Sequence, residues 1–232
     1  MLRRLLSLVG QRPVPHGLYL PVVEFDALFP ALANARVILE HCASCLGGVR
    51  LNELVALACL AQYRDALQVF EFGTGTGRTT LNIALNLRPG GRVFSLDLPE
   101  GASPDPAVYC RDQASEVASG DKAMFVRARL SNLPIDLLRG ESTTFDFSPW
   151  SQRIDIVFID GGHSRKAVES DTANAFRMLK PSGGVVLWHD YLPQSCPAVV
   201  DYLNSLSRKL PVRLLAGTKT AVCITNDEMK LP

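Results

Sequence analysis

Short apolar runs alternate with longer amphipathic stretches along most of this chain, and this alternation constrains the fold more than any other feature. Five runs of strand length are rich in Val, Ile, Leu and Phe and mostly lack polar alternation, which is typical of strands buried on both faces. They occupy residues 67–72, 92–97, 135–138, 154–160 and 184–189. With helix-like segments between them at 78–87, 108–130 and 163–179, the pattern predicts an α/β fold with a parallel sheet and helices on both faces.

The C-terminal part departs from that rhythm. After a helix predicted over 198–209, two apolar runs at 212–216 and 220–225 are separated only by Gly217, Thr218 and Lys219. This spacing is typical of a β-hairpin. We therefore expect a Rossmann-like parallel sheet that ends in an antiparallel hairpin.

Length and composition favour one domain. A chain of 232 residues that is 47% hydrophobic can bury one sizeable core. Residues 1–66 contain no clear strand, and we interpret them as an N-terminal helical cap on a Rossmann-like core at 67–226. The last cap helix is expected to bury a stripe of Leu51, Leu54, Val55 and Ala58.

The charge balance argues against nucleic acid as a partner, because 24 Lys and Arg nearly cancel 23 Asp and Glu. No apolar run approaches the ~20 residues that span a bilayer, so a cytoplasmic location is expected. The six cysteines are predicted to be reduced, and Cys42 with Cys45 lacks the further ligands that a structural zinc needs. Leucines near the N-terminus, Leu2, Leu5, Leu6 and Leu8, could form a homodimer contact.

A glycine-rich loop directly follows the first predicted core strand. Glycines stand at 73, 75 and 77, whereas a dinucleotide fingerprint would place its third glycine where this chain has Arg78. Glu71 precedes the loop, and a carboxylate there would repel a pyrophosphate but attract the ammonium of an amino acid. The loop therefore favours S-adenosylmethionine over NAD.

Acidic and histidine residues follow the other predicted strands. Because ligands of open α/β sheets bind outside the carboxyl ends of the strands, we expect these side chains to converge on one crevice. They are Asp97, Glu141, Asp160, His163, His189 and Asp190.

Several blocks resemble the class I S-adenosylmethionine-dependent methyltransferases, in particular methyltransferase family 24. They are FEFGTGTGRTTLNIAL at 70–85, VFSLDLP at 93–99, GESTTFDFSPW at 140–150, the long block at 157–191 that contains IDGGHS and WHDY, and LLAGTKTAV at 214–222. The resemblance implies that Glu71 and the glycines hold the methionine part of the cofactor, that Asp97 holds the ribose, and that Glu141 with Ser142 meets the adenine. The full predicted cofactor set is Glu71, Gly73, Thr74, Gly75, Gly77, Asp97, Leu98, Glu141, Ser142 and Asp160.

The resemblance also suggests a divalent metal, since some related O-methyltransferases bind Mg²⁺ at positions that correspond to Asp160, His189 and Asp190. A histidine in that set favours a metal-free site or a softer divalent ion, because Mg²⁺ prefers oxygen ligands. For catalysis we expect His163 or His189 to act as general base, since an imidazole pKa near neutrality suits that role, with Asp190 or Asp160 orienting the ring.

Three functions remain open from the sequence. The first is O-methylation of a small-molecule acceptor. The second is an NAD-type oxidoreductase on a Rossmann sheet, which Arg78 and Glu71 disfavour. The third is a non-catalytic module that binds the cofactor and needs neither histidine.

Overall fold

The computed structural model describes residues 19–42, 48–63, 66–99, 101–102 and 132–226. Within them, eight strands form one sheet. The strands are β1 (Val22–Val23), β2 (Gln68–Phe72), β3 (Arg92–Asp97), β4 (Ile135–Arg139), β5 (Ile156–Ile159), β6 (Val185–Trp188), β7 (Arg213–Leu215) and β8 (Ala221–Ile224).

Five α-helices accompany the sheet in these ranges. They are α1 (Phe25–Leu28), α2 (Leu51–Leu60), α3 (Arg78–Ala84), α4 (Arg165–Met178) and α5 (Pro197–Leu206), and short 3₁₀ turns lie at Pro30–Leu32 and Ser148–Trp150. The helix predicted over 108–130, the N-terminal leucines of the expected dimer contact, Cys45 and Cys110 lie outside the described residues.

The strand order is β1-β7-β8-β6-β5-β2-β3-β4. The strands β2 to β6 pair in parallel, whereas β8 runs antiparallel to both β6 and β7. The predicted fold class, a Rossmann-like sheet with a C-terminal antiparallel hairpin, is confirmed.

One expectation about the N-terminal part was wrong, because the described residues before 66 include a strand. β1 has two residues and pairs in parallel with β7, with Val22 opposite Leu214. This strand could not be predicted because two valines are too few to show a strand periodicity. Its hydrogen bonds come from β7, a partner far along the chain.

Helices cover both faces of the sheet. Residues of α2 and α3, such as Leu57 and Leu81, pack with Val69 and Phe158 in one core cluster. Residues of α4 and α5 pack against the opposite face in a second cluster that contains Phe70, Phe72 and Trp188. Because side chains alternate along a strand, Glu71 and His189 follow Val69 and Leu187 onto the face covered by α2 and α3.

The stripe expected on α2 was partly wrong. Leu54 and Ala58 are buried, but Leu51 is 50% exposed and Val55 is 37% exposed. The buried face of α2 instead includes Glu53, whose side chain lies in the interior near the carboxyl ends of the strands.

The pairing register of the strands aligns the candidate functional residues at one end of the sheet. Phe72 pairs with Leu96 and with Ile159, and Ile159 pairs with Trp188. The residues one step further, Gly73, Asp97, Asp160 and His189, therefore emerge side by side at the carboxyl ends of four strands.

No helix in the described part of the chain is both long and apolar enough to cross a membrane. The cysteines of that part, Cys42, Cys59, Cys196 and Cys223, are free thiols.

Candidate active site

The glycine loop turns sharply between β2 and α3. Gly73, Gly75 and Gly77 all have positive φ angles, of 89°, 50° and 79°. A Cβ on Gly73 would lie 2.2 Å from the carbonyl oxygen of Asp160, whereas a Cβ on Gly75 would meet no atom of the described residues within 4 Å. Gly73 thus permits close approach to the end of β5, while the space beside Gly75 is open.

Glu71 lies beneath this loop with 0% exposure. Its Oε2 accepts hydrogen bonds from Thr80 Oγ1 and, at 2.5 Å, from Ser95 Oγ, while Oε1 has no partner within the described residues. Burial, reinforced by the charges of Asp160 and Asp97, raises the pKa of Glu71 to about 8 against the lowering effect of the two hydroxyls. The carboxyl therefore holds its proton at neutral pH in this state.

Asp97 ties the end of β3 to the glycine loop. Its Oδ2 accepts the backbone N–H of Gly75 at 3.0 Å, and its Oδ1 accepts the backbone N–H of Leu98 at 2.7 Å. Thr74 joins the same strand through its hydroxyl, 2.7 Å from Ser95 Oγ. Three of the predicted cofactor residues, Thr74, Gly75 and Asp97, are thus brought together with Leu98.

Glu141 and Ser142 follow β4 at the next position along the same edge, where the backbone N–H of Gly140 donates to the Asp97 carbonyl at 2.9 Å. Glu141 Oε1 accepts from Thr143 Oγ1 at 3.2 Å. Ser142 is buried beside Asp171 of α4, a residue that sequence reasoning missed. Burial raises the pKa of Asp171 to about 7, although the nearby Ser142 hydroxyl acts to lower it.

At the ends of β5 and β6, two histidines and two aspartates form one connected cluster. His189 Nδ1 lies 2.8 Å from Asp160 Oδ1 and 3.3 Å from Asp190 Oδ1. His163 Nε2 lies 2.9 Å from Asp190 Oδ2. All four predicted residues therefore meet, and Asp190 links the two imidazoles.

Two residues that sequence reasoning missed complete this cluster. Glu53 Oε2 lies 3.3 Å from His189 Nε2, and Lys219 Nζ donates to Asp190 Oδ1 at 2.6 Å. The Lys219 backbone N–H also donates to Glu53 Oε1 at 2.8 Å. A sequence signal did exist for Glu53, since it is the single acid in a mostly apolar helix.

These contacts set the charges of the cluster. Burial alone would lower the pKa of His163, but the neighbouring Asp190 carboxylate, together with Cys196, raises that pKa to about 11. Burial likewise opposes charge on His189, yet Asp160, Asp190 and Glu53 hold the pKa of His189 well above its usual range. The pKa of Asp190 is lowered, against burial, mainly by its hydrogen bonds with His163 and His189.

Both imidazoles therefore have pKa values above the near-neutral value assumed for a general base, and the general-base role stays a prediction. Each of these imidazoles faces carboxylates at short distance, which favours its charged form. A group that is already protonated cannot accept the proton of an incoming hydroxyl.

In the part of the chain that the structure describes, two sets of side chains have donor atoms close enough together to hold a metal ion. Asp160, His189 and Asp190 form one set, and His163, Asp190 and Cys196 form the other, with all ligand atoms of a set within 4.8 Å. The first is the set predicted from the sequence. Its mixture of carboxylate oxygens with one imidazole nitrogen fits a divalent transition metal better than Mg²⁺.

The family model Methyltransf_24, described as "Methyltransferase domain", matches residues 70–191, just over half of the chain. The chain belongs to this family. The family predicted from the glycine loop and the two histidine motifs is confirmed, and membership argues against the oxidoreductase alternative. A search of curated proteins finds no significant match.

Solved structures of methyltransferases share the fold. The O-methyltransferase TomG from Streptomyces achromogenes, in complex with S-adenosylmethionine, is 18% identical with a TM-score of 0.52, over 87% of this chain and 96% of TomG. The O-methyltransferase NovP is 14% identical with a TM-score of 0.58, over 79% of this chain and 84% of NovP. PaMTH1 from Podospora anserina, bound to S-adenosylhomocysteine, is 12% identical with a TM-score of 0.54, over 97% of this chain and 94% of PaMTH1.

Proposed function

We propose that this methyltransferase transfers the methyl group of S-adenosylmethionine to an oxygen atom of a small molecule. The proposal rests on one observation: the pairing register makes β2, β3, β5 and β6 end at the same level of the sheet. It places the glycine loop and Asp97 beside a histidine–carboxylate cluster at one sheet edge, so that a methyl donor and an acceptor could lie next to each other.

S-adenosylmethionine is the cofactor predicted from the sequence, and the family and the ligands of TomG and PaMTH1 support it. In our proposal Gly73, Gly75 and Gly77 hold its methionine part and Asp97 its ribose. The site fits this ligand in two respects: no described atom fills the space beside Gly75, and the buried Oε1 of Glu71 has no partner in the described residues.

The adenine is assigned to the residues after β3 and β4. Leu98 is buried at the end of β3 and offers an apolar contact, while Glu141 and Ser142 follow the neighbouring strand. Glu141 is half-buried, which leaves its carboxylate able to accept from an exocyclic amine.

We further propose that a divalent ion is held by Asp160, His189 Nδ1 and Asp190. Such an ion, when bound, supplies Lewis acidity that lowers the pKa of a coordinated hydroxyl. The donor set is compatible with Mn²⁺ or a similar ion.

Methyl transfer from a sulfonium is an in-line displacement, so the protein mainly has to align the acceptor oxygen with the methyl carbon. His163 is assigned an electrostatic role in place of the general base expected from the sequence, and His189 is assigned to the metal ion. The positive charge of His163, paired with Asp190, would stabilise the acceptor oxygen as an oxyanion after its proton has passed to solvent. That negative charge is then lost as the oxygen–methyl bond forms and the sulfur–methyl bond breaks.

The proposal is tested by incubating the purified protein with isotope-labelled S-adenosylmethionine and a metabolite extract. We expect labelled O-methyl products by mass spectrometry, and we expect His163→Ala and His189→Ala each to reduce turnover by about 10²-fold or more. Affinity for S-adenosylhomocysteine should be retained in both variants. Binding of the cofactor with no labelled product would favour the non-catalytic module, and unchanged turnover in both variants would contradict the histidine assignment.

A further inference from the structure

Glu53 is a buried carboxylate that lies outside the segment matched by the family. It belongs to α2, ahead of residues 70–191, and is 1% exposed. A buried carboxylate is costly unless charged or hydrogen-bonding partners compensate it. The partners of Glu53 therefore indicate why a glutamate stands on the inner face of this apolar helix.

One oxygen of Glu53 faces His189 and the other is held by the turn between β7 and β8. Oε2 lies 3.3 Å from His189 Nε2 and accepts the Arg50 backbone N–H at 2.8 Å. Oε1 accepts the Lys219 backbone N–H at 2.8 Å and the Thr220 hydroxyl at 3.2 Å. Three chain segments thus fix the carboxylate, and it cannot turn away from the imidazole without losing several hydrogen bonds.

The opposite nitrogen of His189 faces the proposed metal ligands. Nδ1 lies 2.8 Å from Asp160 Oδ1, and the donor atoms of Asp160, His189 and Asp190 lie within 4.8 Å of one another. Histidine ligands of metal ions commonly donate their second ring N–H to a carboxylate, which fixes both the tautomer and the ring orientation.

We infer that Glu53 is a positioning residue that holds His189 Nε2 and so presents Nδ1 to a divalent ion bound by Asp160 and Asp190. The inference rests on the metal site of the proposed function. It explains what α2 contributes to the site, because this helix supplies the outer carboxylate. The turn at Lys219 supports both Glu53 and Asp190.

The alternative is that Glu53 only joins α2 to the sheet. A joining role would lower thermal stability and disturb the whole edge, including the glycine loop. A positioning role acts selectively on the ligand set that contains His189. Metal affinity and cofactor affinity, measured separately, distinguish the two.

The experiment compares wild type with Glu53→Gln, Glu53→Asp and Thr220→Val. Thr220→Val is the matched control, because it removes one donor to Glu53 Oε1 and leaves the contact with His189 in place. Binding of Mn²⁺ alone is followed by the electron paramagnetic resonance signal of the free ion, and binding of S-adenosylhomocysteine by calorimetry. Thermal unfolding of each variant establishes the temperature at which all of them are folded.

We expect Glu53→Gln to weaken Mn²⁺ binding by about 10–100-fold. Its affinity for S-adenosylhomocysteine should stay within about twofold of wild type, as for a site without shared partners. Glu53→Asp, which keeps the charge with a shorter reach, should weaken Mn²⁺ binding less and serves in place of Glu53→Gln if that variant does not fold. Thr220→Val should bind Mn²⁺ as wild type does.

Wild-type Mn²⁺ affinity in both Glu53 variants would overturn the inference while leaving the proposed metal site intact. Equal losses of affinity for Mn²⁺ and for S-adenosylhomocysteine would also overturn it, and would indicate that Glu53 only joins α2 to the sheet. If wild type binds S-adenosylhomocysteine but no Mn²⁺, both the inference and the proposed metal site are wrong. The proposed methyl transfer would not be affected by that result.

Discussion

Glu71 and Glu53 are two glutamates buried on the same side of the sheet, and their pKa values are shifted in opposite directions. Glu71 is 0% exposed and Glu53 is 1% exposed. Burial raises the pKa of Glu71 to about 8, because its hydrogen-bond donors are the neutral hydroxyls of Ser95 and Thr80. Burial also opposes ionisation of Glu53, yet the hydrogen bond and charge of His189 and two backbone N–H groups lower its pKa to about 2.

The difference shows that the partners, more than the depth of burial, decide whether a carboxyl at this edge is ionised. It also divides the edge into two regions. The glycine-loop region contains a neutral acid that can become an ion pair when a cationic ligand arrives. The β5–β6 region is already a network of paired charges, from Glu53 through His189 and Asp190 to Lys219.

The largest expected effect comes from removing the ionised glutamate. Glu53→Ala leaves His189 with fewer carboxylates and strips acceptors from the backbone N–H groups of Arg50 and Lys219. Breaking a buried charged pair in this way should lower the free energy of unfolding by about 3–5 kcal/mol. Chemical denaturation measures it, with Thr220→Val as the control, and a loss under about 1 kcal/mol would show that Glu53 is not a fully engaged ion.

The neutral glutamate predicts a pH dependence of the opposite kind. Since the pKa of Glu71 rises from 4.5 to about 8 on folding, its contribution to stability is fully present below pH 4.5 and is lost as the pH rises through about 8. Glu71→Gln removes this dependence.

Unfolding free energies of wild type and Glu71→Gln, measured at several pH values between about 4.5 and 8.5, give the test. Relative to the variant, wild type should lose on the order of a few kcal/mol across this range. If the unfolding free energies of the two proteins change with pH in parallel, the pKa of Glu71 is not raised in the folded state.

A smaller effect is expected at the other end of the charged network. Lys219→Met removes the ammonium that donates to Asp190, but His163 and His189 still compensate that carboxylate. The backbone N–H of residue 219 also continues to support Glu53. We expect a loss of about 1–2 kcal/mol in unfolding free energy. A loss as large as that of Glu53→Ala would show that Lys219, and not the histidines, is the main counter-charge of Asp190.

Features with a local signal could be predicted from the sequence. The five core strands lie within two residues of their predicted ends, because continuous apolar runs mark them. The glycine-rich loop after the first core strand is a second such feature, and its three glycines all have positive φ angles. The carboxyl-end positions of Asp97, Asp160 and His189 then follow from the parallel arrangement.

Features that depend on distant partners could not be predicted. Glu53 is 136 positions from His189 and 166 positions from Lys219, so its role exists only after α2 and the hairpin have packed. The upward pKa shifts of His163 and His189 could not be predicted for the same reason. An isolated imidazole titrates near neutrality, and the shift arises from carboxylates that folding brings together.

The most direct test of the account is calorimetry of the purified protein with S-adenosylhomocysteine and, in a separate titration, with NAD⁺. The account predicts saturable binding of one S-adenosylhomocysteine per chain, weakened by Asp97→Ala, and no heat with NAD⁺. Heat with the dinucleotide and none with S-adenosylhomocysteine would contradict it.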